Sequence, residues 1–338
     1  MKAAIYQGNR TFVTGVSEPV GPGAGQVRLN VAYCGVCGTD VHIFHGVMDK
    51  RVGPPQIIGH EASAEVAEIG EGVEGVSIGD RVAVRPLQFG EPTPFDKGCP
   101  HVGKNLKFIG IDTPGAMQGS WTVPAYTLHK LPTSLSLEHG ALIEPVAVAC
   151  HDVRLGGICP NENCVVLGGG PIGLLIALVA RQKGARVLVS EVNPARIELA
   201  RSLGLEAVNP AEQDLIREVA SWSGDAMADA VFEVSGSAPA VEIMTELLNV
   251  RGRIVMVAIH SAPKPVNLFR FFWSEIRMIG ARLYEAEDFD EAIRFAADGV
   301  LPLDALITRI DPIEATQQVF ETIDANPQGM KYLIQCGQ

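Results

Sequence analysis

The chain has 338 residues, 47% of them apolar and 20% charged, an ordinary globular mixture and long enough for two domains with separate cores. A formal net charge of -12, with no block of five like charges, argues against nucleic acid as a partner. MKAAIYQGNR lacks the apolar core of a signal peptide, and the most apolar stretch, Pro171 to Ala180, is shorter than the ~20 residues that span a bilayer. A cytoplasmic protein without a membrane partner is therefore expected, and its seven scattered cysteines fit reduced thiols better than a disulfide framework.

Up to about Cys150 the chain reads as short strands punctuated by glycine. Lys2 to Tyr6, Val27 to Tyr33, Ala62 to Ile69 and Arg81 to Val84 show β-like runs or alternation. Between them lie Gly-Pro-Gly at 21–23 and EGVEGVSIGD at 71–80, both rich in turn residues, so an antiparallel barrel-like domain is predicted. Thereafter strands alternate with helical segments. Strands are predicted at 164–168, 186–190, 229–234 and 253–258, and helices at 171–183, 194–203, 212–221 and 238–249. That rhythm makes a parallel, doubly wound sheet. Beyond Tyr284 a helix at Phe289 to Ala297 and a closing strand at Lys331 to Gln335 are expected to rejoin the first domain.

Within the second domain, Cys164 to Glu191 carries a strand, the run Gly168-Gly169-Gly170, an apolar helix opening with Pro171, Ile172 and Gly173, and a second strand ending in an acid. This context turns G-x-G-x-x-G into a dinucleotide fingerprint. Gly168 makes the tight turn, Gly170 lets the backbone approach a pyrophosphate, and Gly173 allows close helix–sheet packing. The N–H groups at the start of the helix face the phosphates. Glu191 lies 23 residues after Gly168, near the ~20 expected of the acid that holds a ribose diol, and a carboxylate there favours NAD over NADP.

The first domain holds a second set: Cys34 and Cys37 in CGVCGTDVH, then Gly59-His60-Glu61, then Glu144-Pro145. Thiolate, imidazole and carboxylate are the ligands zinc takes, and a catalytic site uses three of them. Separately each is weak. The cysteines alone fit buried thiols, half a structural zinc site or a redox pair, and Thr39, Asp40 and His42 fit turn and surface positions.

Together with GDRV, NLKFIGID, GSWTVPA, IEPVAVACH and RLYEAEDFDEAI, these motifs make the chain resemble, from end to end, the zinc-dependent medium-chain alcohol and polyol dehydrogenases. The branch of sorbitol, butanediol and threonine dehydrogenases is the most similar, because Glu144 stands where the alcohol-dehydrogenase branch has cysteine. The resemblance implies an α/β chain with a GroES-like antiparallel β-barrel catalytic domain, 1–148 plus 285–338, and a Rossmann cofactor domain, 149–284. It implies zinc ligation by Cys37 and His60, with Glu61 and Glu144 as carboxylate candidates, and orientation of His60 by Asp40. Thr39 and His42 match a proton relay. Asn193 and Arg196 match positions beside the adenosine ribose, Val257, Ala258 and Ile259 a strand end facing the nicotinamide, and Lys331 a basic residue reaching the pyrophosphate.

One departure stands out. Relatives hold a structural zinc with four closely spaced cysteines where Arg85 to Asn105 keeps only Cys99, with Asp96 and His101 nearby. One catalytic zinc per chain and no structural zinc are therefore expected, together with NAD. The implied reaction is reversible oxidation of a secondary alcohol of a polyol, sugar alcohol or sugar acid, with threonine or a small diol as alternatives. A non-catalytic NAD-binding protein is a further alternative. Arg51, Arg85, Arg270 and His45 are the basic candidates for a substrate carboxylate, and a homodimer or homotetramer is expected.

Overall fold

A computed structural model describes residues 1–326 and 328–337, which form two compact units, Met1–Glu144 with Glu285–Gln338, and Pro145–Tyr284. The boundary falls a few residues before the one expected from the change of rhythm.

In the first unit, Lys2–Tyr6 pairs with Phe12–Val16 and Gln56–Ile57. A larger sheet runs Leu128–Lys130, Arg81–Val84, Glu61–Ile69, Gln26–Gly35, Lys331–Gln335 and Ile307–Pro312, with Ser120–Pro124 also on Gln26–Gly35. Every pairing is antiparallel except Ile307–Pro312 with Lys331–Gln335. The alternation that marks Gln26–Gly35 puts Val27, Leu29 and Val31 into the core. Ten residues and two irregularities in its register let this strand bend and meet three neighbours. Phe12–Val16, Ser120–Pro124, Leu128–Lys130 and Ile307–Pro312, like the helices Ile143–Gly156 and Thr316–Ala325, carry too short or too mixed a pattern to stand out in the sequence.

The second unit is a six-stranded all-parallel sheet in the order Glu206–Val208, Arg186–Ser190, Asn163–Leu167, Ala228–Glu233, Leu248–Met256, Arg277–Gly280. The order reverses between Asn163–Leu167 and Ala228–Glu233, and dinucleotides bind at such a switch point, outside the carboxyl ends of the strands. Helices Pro171–Gln182, Pro194–Ser202 and Leu215–Ser223 match the expected segments to within about three residues at each end. The helix predicted over 238–249 stops at Ile243, and Leu248 already belongs to the next strand. That strand bends at Arg251, in the left-handed region at φ 61, and at Gly252, and it ends at Met256 rather than 258. The last strand of the sheet, Arg277–Gly280, has four residues.

Candidate zinc and dinucleotide sites

The metal-capable residues sit where two chain segments converge. Cys37 caps the helix Gly38–Phe44, its sulfur accepting the N–H of Thr39 at 3.3 Å, while Asp40 Oδ2 accepts the N–H of Cys37 at 2.9 Å. His60 and Glu61 lie at the start of the strand Glu61–Ile69, whose Glu61 pairs with Gly35. Ligand atoms of Cys37, His60 and Glu61 all lie within 4.8 Å of one another. Cys34, three residues earlier, points into the core; burial pushes its thiol pKa well up, and its sulfur lies 2.6 Å from the place a Cβ on Gly59 would take. Of the two cysteines only Cys37 joins the cluster.

His60 is buried, with Phe108 edge-on at 5.0 Å between ring centroids. Asp40 Oδ1 stands 3.5 Å from His60 Nδ1, and neither atom has a hydrogen-bond partner among the described residues. Burial alone would lower the imidazole's pKa; the Asp40 carboxylate and the Cys37 sulfur outweigh it and hold the value well above the ordinary one. Metal ligation requires the neutral ring, so ion binding releases a proton here. Asp40 thus meets both candidate ligands, through the backbone of Cys37 and beside the ring of His60. Thr39 is half-buried and His42 exposed on the same short helix.

The structure gives Glu61 a partner that sequence reading did not. Lys331, expected to reach a pyrophosphate, turns its ammonium into the core, where it is 3% exposed. It donates to both oxygens of Glu61, at 2.6 and 2.5 Å, and to the carbonyl of Val36 at 3.1 Å. The reason is position: Lys331 opens the buried strand Lys331–Gln335, beside Gln26–Gly35, which leads to Cys37. Burial opposes its charge, yet Glu61 outweighs burial and raises its pKa. Glu144, buried in the first turn of Ile143–Gly156, also acts on this ammonium but is not one of the three clustered ligands.

Sulfur, nitrogen and carboxylate donors converging in a buried pocket, with an acid beside the free ring nitrogen, fit zinc in chemistry and in orientation. In the lobe at 85–105, Asp96 accepts from Thr93 N at 2.7 Å, Thr93 Oγ1 at 2.9 Å and Lys104 N at 2.9 Å, so a carboxylate ties its loops together.

In the second unit the glycine turn has the geometry its spacing implies. Gly168 has φ 109, and a Cβ on Gly173 would stand 1.8 Å from the Gly168 carbonyl oxygen, so only glycine lets the helix lie against the turn. Gly170 caps the helix and Pro171 takes its first position. Glu191 is buried, its oxygens accepting Gly169 N at 2.7 Å, Val192 N at 2.7 Å and Asn193 N at 2.8 Å. Arg196 points back to this acid, its Nη1 3.9 Å from Glu191 Oε2, rather than out from its helix. Val257, Ala258 and Ile259 follow the strand instead of ending it; the first two donate to the carbonyl of Glu233, and Ile259 is 87% exposed.

Sequence reading passed over Glu233. Fully buried at the end of its strand, it accepts from Ser235 N, Ser235 Oγ and Gly236 N through one oxygen, and its other oxygen pairs with His260 Nε2 at 3.1 Å. It ties two loops beside Gly168 together, and its only trace in the sequence is an acid ending an apolar strand before Ser-Gly.

The chain matches the alcohol dehydrogenase GroES-like domain over residues 23–133 and the zinc-binding dehydrogenase domain over 171–298. It is 54% identical over 337 residues, 99% of both chains, to 2-dehydro-3-deoxy-L-galactonate 5-dehydrogenase of Pseudoalteromonas atlantica. Among solved structures it is similar to 2R,3R-butanediol dehydrogenase of Bacillus subtilis, at 28% identity, TM-score 0.90 and 99% coverage of both chains. A zinc-binding dehydrogenase of Sinorhizobium meliloti bound to NADP gives 28% identity and TM-score 0.92, covering 99% of this chain and 98% of that one. With a GroES-like domain, a parallel Rossmann sheet and these relatives, the chain belongs to the zinc-dependent medium-chain dehydrogenase family.

Proposed function

We propose that the protein oxidises a secondary alcohol of a sugar acid to the ketone, reversibly and with NAD, at a zinc held by Cys37, His60 and a carboxylate. The observation that carries the chemistry is the convergence of thiol, imidazole and carboxylate within 4.8 Å. The relative at 54% identity supports a sugar acid over a neutral polyol.

Zinc held there would lower the pKa of an oxygen ligand, and a bound nicotinamide would supply the hydride acceptor. The protein's own part is to place the groups. Asp40 holds the His60 ring by its Nδ1 side and the Cys37 loop by its backbone. Thr39 Oγ1 takes the substrate proton as its own passes on, through the ribose hydroxyls of the cofactor, to His42 and solvent. Glu61 and Glu144 are the carboxylates available as the third ligand, and Lys331 sets how far Glu61 can move. In the cofactor unit the N–H groups at the start of the helix after Gly170 meet the pyrophosphate and Glu191 meets the ribose diol. Glu191 also repels a 2′-phosphate; Arg196 would have to turn to accept one.

One zinc per chain is inferred, because Asp96 already organises the lobe where relatives place four cysteines. A homo-oligomer is inferred from the second unit. Phe272 and Trp273, exposed by 80% and 68%, lie five and four residues before the exposed edge strand Arg277–Gly280. An edge strand and an aromatic patch need covering, and a second copy does both. A cytoplasmic setting agrees with the seven cysteines, all free. Among the described residues no helix is long and apolar enough to cross a membrane.

The test combines metal analysis with NADH formation over 2-dehydro-3-deoxyaldonates, aldonates, polyols, diols and threonine. About one zinc per chain and activity on a sugar acid are expected, with Cys37→Ser losing metal and turnover while still binding NADH. Full activity in metal-stripped protein, or turnover of threonine alone, would refute the reading.

A further inference from the structure

The four basic candidates for a substrate carboxylate fare differently. His45 is spent on Asp324, which also takes Arg10. Arg85 contacts the carbonyl of Tyr126 and the ring of Phe89, and Arg270 lies in the second unit beside Glu246. Arg51 alone is tied, through Asp112, to the turn that packs on His60.

Its Nε and Nη2 each donate at 2.7 Å to a separate oxygen of Asp112. Asp112 Oδ2 also accepts the N–H of Phe108 at 2.8 Å, and Asp112 N donates back to the Phe108 carbonyl at 2.8 Å. Gln56 Nε2 holds the Ile111 carbonyl at 2.7 Å. This tight turn rests on His60: Phe108 meets the imidazole edge-on, and a Cβ on Gly110 would stand 3.2 Å from His60 Cβ. On its other side Arg51 belongs to the single-turn helix Asp49–Val52, which the fully buried Tyr6 anchors through Asp49 at 2.8 Å.

The guanidinium is therefore fixed from two directions, and its side chain remains 44% exposed. A guanidinium fork has two edges that can each receive a carboxylate in bidentate fashion. Asp112 occupies the Nε–Nη2 edge and leaves the Nη1–Nη2 edge for a second anion. We propose that Arg51, held in place by Asp112, binds the carboxylate of the sugar-acid substrate and so selects sugar acids over neutral polyols. The inference rests on the sugar-acid reading above. In a 2-dehydro-3-deoxyaldonate oxidised at C5, C1 is the carboxylate, so recognition of charge belongs at the end of the molecule remote from the metal. Arg51 is not one of the clustered groups but is joined to His60 by the turn at 108–113, a position suited to that end.

The experiment compares KM for 2-dehydro-3-deoxy-L-galactonate and for its C1 carboxamide in wild type, Arg51→Gln and Arg51→Lys. Loss of a charge-assisted bidentate pair should raise the acid-to-amide KM ratio roughly tenfold or more in Arg51→Gln. Arg51→Lys, which keeps the charge but not the fork, should raise it by a smaller factor. An unchanged ratio in Arg51→Gln, or KM values that rise equally for both compounds, overturns the proposal. If Arg51→Gln does not fold, the ratio in Arg51→Lys decides alike: about threefold or more supports it, no change overturns it. Wild type inert on both compounds would instead refute the sugar-acid reading, and the role of Arg51 with it.

Discussion

Replacing Lys331 by methionine isolates the ion pair it makes with Glu61 beside the proposed zinc site. Lys331 and Glu61 are 3% and 1% exposed, and the ammonium also serves the Val36 carbonyl. Methionine of similar length would fill the space but leave a carboxylate buried without its cation. Breaking one side of a buried pair costs about 3–5 kcal/mol, whereas replacing both sides with apolar groups is often close to neutral. Lys331→Met should therefore destabilise the first unit by about 3–5 kcal/mol, and Lys331→Met with Glu61→Leu should recover most of that. Urea unfolding of metal-stripped protein is the assay. Trp121 is buried in the first unit while Trp222 and Trp273 belong to the second, so a Trp222→Phe, Trp273→Phe background reports the first unit alone. A single-mutant cost below about 1 kcal/mol, or a double mutant as unstable as the sum of the singles, would refute the reasoning. The pair also sets a pH dependence. Because the folded Lys331 pKa is raised above its ordinary 10.5, the stabilisation is complete below that value. It disappears as pH rises through the folded value. The wild-type transition should weaken above about pH 10.5 and that of the double mutant should lack this alkaline component.

Three further outcomes follow from the same geometry. Gly173→Ala places a methyl group 1.8 Å from the Gly168 carbonyl, so the turn must shift; the second unit should lose about 1–3 kcal/mol and NADH affinity should fall at least tenfold by titration calorimetry. Wild-type affinity in that variant would show that the helix need not lie so close. Glu191→Ala removes the acceptor of three backbone N–H groups and the charge that opposes a 2′-phosphate; the NAD/NADP preference should fall by roughly tenfold or more, and an unchanged ratio of kcat/KM values would count against the ribose assignment. Asp96→Ala should speed amide hydrogen exchange at Thr93 and Lys104 without changing zinc content, whereas loss of one zinc per chain would mean that the lobe holds a metal after all.

The local signals were legible where a single stretch of chain does the work. Strand, glycine turn, helix and acid from Cys164 to Glu191 are adjacent in sequence, and steric exclusion at Gly173 and the left-handed turn at Gly168 follow from residue type at fixed spacing. Cys37 and Asp40 likewise close on one another within a single helical turn. What the sequence left open is contact across long separations. Nothing near Lys331 announces that its ammonium lies on Glu61, 270 positions earlier, because strand pairing and not local pattern carries the lysine inward. Cys34 and Cys37 are equally cysteine in the sequence. Residue type alone does not separate them; the family resemblance implies Cys37, and in the fold one strand end buries Cys34 while the helix start brings the Cys37 sulfur beside His60. In the sequence Arg51 is one of four equal basic candidates and Asp112 carries no signal, and only the packing of the turn at 108–113 against His60 fixes the two as a pair. Residue types and spacing determine which chemistry is available, since they reflect steric and electronic properties of neighbours in the chain. Tertiary structure decides which of those groups meet, because burial and pairing act on distance in space.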